Sequence, residues 1–108
     1  MSVSKSWRWV GGGWMCMAAM APTVAQDAPS LRTSSLAATC ASCHGTGGHA
    51  IDDASVPGLA GLPASYTVDQ LKAFKNGSRP STVMHQIAKG YSDAQIEQIA
   101  AYFAAQKK

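Results

Sequence analysis

Three observations predict a small all-α domain of three to five helices. Ser92-Asp93-Ala94-Gln95 and Thr67-Val68-Asp69-Gln70 both have the pattern of a capping box, in which a hydroxyl residue starts a helix and a glutamine three positions on reaches back to it. After Ser92, the residues Ile96, Ile99, Ala100 and Phe103 recur at helical spacing and give one apolar stripe. No alternation of strand and helix patterns is visible, and no repeats or low-complexity tracts occur.

Residues 1–25 read as a secretory signal peptide that is removed. Lys5 and Arg8 supply a positive start, Val10 to Ala21 is mostly apolar, and Thr23-Val24-Ala25 offers small residues before a cut. The apolar run is short and is interrupted by Gly11, Gly12, Gly13 and Pro22, which argues against a membrane anchor. The domain then spans residues 26–108. Losing Lys5 and Arg8 leaves seven basic residues facing six acidic ones, a net charge of about +1, so no broad charged face points to nucleic acid or an anionic membrane as partner. Cys40 and Cys43 are its only cysteines and Met84 its only methionine.

In chain order, Gln26 to Ser30 is a lead-in, with Pro29 marking where a first helix can begin, and Leu31 to Ala41 favours helix with Leu36, Ala37 and Ala38 as a small packing face. Gly45 to Ala64 has no sustained period and reads as an extended loop. The capping box at Thr67 predicts a helix from Val68 to about Asn76, burying Val68, Leu71 and Phe74 and stopping at Gly77. Ser78 to Met84 forms a turn that restarts as a short helix. The last helix runs from Asp93 to about Gln106, with Tyr91 stapled against Ile96, and is expected to cross the first helix near Leu36. Lys107 and Lys108 suit its negative end.

The chemistry is concentrated in Cys40-Ala41-Ser42-Cys43-His44. Two cysteines two residues apart with a histidine directly after them form the attachment signature of c-type haem, each thiol adding across one vinyl group and the histidine serving as proximal iron ligand. A thioredoxin-like dithiol needs an incoming strand, a zinc site needs a second ligand pair, and a plain disulfide leaves His44 unexplained. So small a domain gains a staple from one covalently held haem c, around which the helices wrap. Because bacterial haem attachment takes place outside the inner membrane, the expected compartment is the periplasm.

A haem-ligating histidine needs an acceptor for its second ring nitrogen. The carbonyl of Pro57, in Pro57-Gly58-Leu59, is the expected acceptor, with Leu59 packed on the haem. Met84 carries a soft thioether and follows a proline-containing turn well after His44, so it is the expected sixth ligand. His49 and His85 read as exposed rather than ligating. Arg79 reads either as a partner for a haem propionate or as a solvated surface arginine.

With these residues in place, residues 26–108 resemble a class I c-type cytochrome. More narrowly, Leu36 to Cys40 and Ser81 to Ser92 resemble the cytochrome subunits of flavocytochrome c sulfide dehydrogenases. Those subunits often carry two haem domains, whereas this sequence has one haem motif. The resemblance implies a cytochrome c fold and a flavoprotein dehydrogenase, or another redox protein, as partner.

The resulting expectation is a periplasmic electron carrier rather than an enzyme, held by Cys40 and Cys43 and ligated by His44 and Met84. It accepts electrons from a flavoprotein sulfide dehydrogenase, or serves another dehydrogenase or oxidase as a free carrier. The rival of a different class is a catalytic or ligand-sensing haem protein with an open sixth site. Low net charge makes a small apolar patch of Ala41, Ser42 and Ala60 to Pro63 the expected docking surface.

Overall fold

The computed structural model describes residues 27–52 and 55–108, so the expected signal peptide lies outside the described residues. Those residues form five α-helices and one 3-10 turn, and contain no strand: α1 (Ala28–Ala38), α2 (Ala41–His44), the 3-10 turn Thr46–Gly48, α3 (Ala64–Asn76), α4 (Met84–Lys89) and α5 (Asp93–Ala104). No helix among them is long and apolar enough to cross a membrane.

Helix α1 begins three residues earlier than the sequence predicts. Asp27 accepts a hydrogen bond from the Ser30 amide at 2.9 Å, which places Pro29 inside the first turn, where its missing N–H leaves no helical bond unmade. The helix ends at Ala38 rather than Ala41. The Thr39 hydroxyl turns back to donate to Leu36 O at 2.7 Å, and a separate short turn carries the chain from Cys40 onward.

Helix α3 departs further from expectation. It starts at Ala64, with Pro63 as the flanking residue, and Thr67 lies one turn inside it. The capping box read at Thr67 is therefore not formed. Thr67 and Leu71 are buried on the same face of the helix, so burial decides where Thr67 sits. Gly77 ends α3 as expected, in the left-handed conformation at φ 82° that favours glycine.

The capping box at Ser92 is complete. Ser92 Oγ accepts from Gln95 N at 3.2 Å and Gln95 Oε1 accepts from Ser92 N at 2.8 Å. Such a cap contributes about 1 kcal/mol and fixes the phase of α5, which turns all of Ile96, Ile99, Ala100 and Phe103 inward. Ile96, Ile99 and Phe103 pack with Ala37, Leu71 and Ala88, while Leu36, Leu59, Val68, Phe74, Met84 and Tyr91 border the cluster half-buried. Helix α5 thus rests on α1 and on α3, and α3 in turn supports α4. Lys75 on α3 bonds Asp93 at the start of α5 at 3.0 Å and holds the Asp93 carboxyl below the ordinary carboxylate range. That contribution is present above the unfolded-state value and is lost as pH falls through the lowered one; at so exposed a site it is small.

The hydroxyl of Thr67 is buried without a hydrogen-bond partner. Thr67→Val keeps the shape and removes the unpaired group, and is expected to raise stability by about 1 kcal/mol in urea denaturation, the penalty of a buried polar atom left unsatisfied.

Candidate haem-binding site

The Cys40 to His44 motif folds into a single tight turn. Cys40 O accepts from both Cys43 N (3.3 Å) and His44 N (2.9 Å), so the two cysteines and the histidine project from about one helical turn. Cys43 is exposed, Cys40 is half-buried against the core, and His44 is buried. As a free thiol, Cys40 is pushed up, chiefly by desolvation.

The loop that follows is built to meet His44. Gly45 leaves the turn at φ 83°, a conformation in which a Cβ would lie 1.9 Å from His49 O, and the chain curls through the 3-10 turn. Gly48 O then accepts from Leu59 N at 2.8 Å and from Ala60 N at 3.1 Å, clamping the far end of the loop. This clamp places Pro57 O 2.7 Å from His44 Nδ1, as expected from the sequence. A carbonyl can only accept, so Nδ1 carries the proton and the neutral ring keeps its lone pair on Nε2.

Met84 opens α4, half-buried at the edge of the core. Val83 and Ile87, on either side of it in sequence, are among the large apolar residues left exposed by the polypeptide. His49 is exposed. His85 is half-buried, and both its amide (2.8 Å) and its Nδ1 (3.3 Å) meet Ser81 Oγ. Arg79 bonds Gln70 and lies 4.6 Å from the centre of the Phe74 ring, a cation–π contact that gives it a partner within the polypeptide.

Of the expected docking patch, Ser42 and Pro63 are exposed, whereas Ala41, Ala60, Gly61 and Leu62 are half-buried. Gly61 N donates to Phe103 O at 2.9 Å, tying this patch to α5. The small net charge is also unevenly spread. Lys72, Lys75, Arg79 and Lys89 lie between Gln70 and Ser92 with no carboxylate among them.

The family model for cytochrome c matches residues 32–107, from within α1 to beyond the end of α5. The chain belongs to the cytochrome c family. One covalently bound haem c is therefore its cofactor, and the residues fit it. Two thiols share a turn with a histidine whose Nδ1 is engaged by Pro57 O, Met84, the one methionine among the described residues, stands elsewhere at the core edge, and apolar side chains flank its thioether uncovered.

The cytochrome is 38% identical over 93 residues to the cytochrome subunit of sulfide dehydrogenase from Chlorobaculum tepidum, covering 86% of this chain and 83% of that protein. It is 46% identical over 68 residues to the thiosulfate dehydrogenase electron acceptor of Thiomonas intermedia, covering 63% of this chain and 31% of the relative, so it spans about a third of that protein. It is also 38% identical over 72 residues to cytochrome c-554(548) of Halomonas halodenitrificans, covering 86% of that protein. Each of these relatives is named as a cytochrome or as an electron acceptor.

Sequence reasoning did not assign the clamp at Gly48. A Cβ there would sit 2.8 Å from both Ala60 N and Phe103 Cδ1, and φ is 81°. Gly48→Ala is expected to cost about 2–5 kcal/mol, combining left-handed strain with overpacking, and to show as a lower guanidinium midpoint of the haem-loaded protein.

Proposed function

We propose that this chain is an exported, periplasmic electron carrier in which Cys40 and Cys43 would anchor one haem c and His44 and Met84 would ligate its iron, with a flavoprotein sulfide dehydrogenase as electron donor. The 2.7 Å bond from His44 Nδ1 to Pro57 O carries the reading. It fixes the tautomer and the plane of the ring, leaving one ligating nitrogen.

Bound haem supplies one-electron oxidation and reduction at its iron. The chain's own residues do the rest. Cys40 and Cys43 prevent the group from dissociating, and His44 is held against rotation by Pro57. Met84 would supply the second iron ligand and so leave substrate no place there; a thioether paired with an imidazole would also raise the reduction potential. Turnover then needs no open site, only a partner surface brought close to the haem edge.

The donor is supported by the match to the Chlorobaculum tepidum subunit over most of both chains. A second reading, a diffusing carrier for another dehydrogenase, is supported by the matches to the Thiomonas intermedia acceptor and to cytochrome c-554(548). Adding sulfide to the purified cytochrome, with and without the flavoprotein, separates the two: only the first expects reduction that requires the flavoprotein.

The ligands are tested by absorption spectra of wild type and Met84→Ala, both expressed in a periplasm with haem-attachment machinery. The expected wild type is red, keeps its colour through acid–acetone extraction, and shows a far-red sulfur-to-iron band that Met84→Ala lacks. A wild type that binds carbon monoxide freely and a variant with an unchanged spectrum would replace this reading with the open-site haem protein.

A further inference from the structure

Tyr91 has a polar end that its apolar stapling role leaves unused. Thr39 Oγ1 lies 2.7 Å from Leu36 O and 2.7 Å from the Tyr91 hydroxyl. A threonine hydroxyl has one proton. Thr39 gives it to Leu36 O, so in the second bond Thr39 accepts and Tyr91 donates. The two residues are 52 positions apart.

The rest of Tyr91 is fastened as well. Its amide donates to Ala88 O, in α4, at 3.2 Å; its carbonyl accepts from Lys75 Nζ, on α3, at 2.7 Å; and its ring packs on the core. Thr39 directly precedes Cys40, and Tyr91 follows Gly90, the residue that caps the end of the helix that Met84 begins. Among the described residues, the Tyr91–Thr39 bond is the only side-chain hydrogen bond joining residues 28–44 to residues 84–104. It links the segment that carries Cys40, Cys43 and His44 to the segment that carries Met84.

We propose that Tyr91 is a positioning residue for Met84: its hydrogen bond to Thr39 holds α4 at a fixed standing relative to the haem-attachment turn, and so sets how readily Met84 is displaced from the iron. The inference rests on the reading of Met84 as sixth ligand. Helix α4 has only six residues; its N-cap residue Val83 makes no side-chain bond, and the Ser81 hydroxyl takes the His85 amide instead, so its placement depends on what is packed and bonded around it. Removing the tie leaves α5 its cap and its buried stripe. The effect therefore falls on the Met84 segment more than on the whole fold.

The test is a titration of the ferric haem-loaded protein with imidazole, which competes with Met84, in wild type, Tyr91→Phe, Thr39→Val, the double variant, Thr39→Ser and Met84→Ala. Tyr91→Phe and Thr39→Val are each expected to bind imidazole about five-fold more tightly than wild type, the equilibrium factor of roughly one net hydrogen bond. The double variant should match either single one, and Thr39→Ser, which keeps the acceptor, should stay near wild type. If Met84→Ala binds far more tightly than wild type while Tyr91→Phe and Thr39→Val equal wild type, the positioning role is overturned and Met84 ligation stands, even where melting temperatures fall. If Met84→Ala and wild type bind equally, the ligand reading and this inference fall together.

Discussion

The hydrogen bond from His44 Nδ1 to the Pro57 carbonyl is the constraint on which the site depends. An imidazole on a short turn is free to rotate, and either nitrogen can carry its proton. One carbonyl removes both freedoms, because it can only accept: the nitrogen facing it must carry the proton, and the ring must turn that N–H toward it. Getting that carbonyl to the ring requires the chain to leave the attachment turn at a positive φ, curl once, and be gripped at its return by Gly48 O. The glycines of this region are therefore structural parts of the haem site, although none offers a functional group.

The other half of the molecule supplies stiffness from few residues. Phe103, Ile96 and Ile99 are the largest side chains fully enclosed among the described residues, and all lie on α5. Each contributes roughly 1.5–3 kcal/mol by leaving water, which is a modest total for a domain of this size. Met84, Leu59 and Cys40 reach the cluster only at its edge. The hydrophobic core and the residues that hold the cofactor thus share a boundary, so that a loss of packing on one side is transmitted to the other.

Much of this was legible locally. The attachment turn is a five-residue pattern, the Ser92 box is a four-residue one, and the stripe on α5 is a simple period; each is decided by neighbours in sequence. The Pro57 acceptor was legible because ligand chemistry demands one and a proline-glycine loop was at hand. Thr67 misled because its capping pattern is genuine, yet a helix started at Ala64 buries the same threonine beside Leu71, and burial outweighs a cap. The Thr39–Tyr91 bond and the partners of Arg79 left no trace in the sequence pattern. They depend on which helices come together, and no local pattern encodes that.

The contact of α5 with α1 joins the two ends of the domain, and this has a consequence for the order of events as the chain emerges. Cys40 packs against a cluster whose largest members, Ile96, Ile99 and Phe103, lie near the other end of the sequence. During vectorial emergence the attachment turn is out well before its cover exists, since chains appear from the N-terminal side. A thiol that is half-hidden in the finished protein is thus uncovered until the last helix docks. The cover of Cys40 is therefore the last part of the domain to be made, and it comes from residues more than fifty positions away.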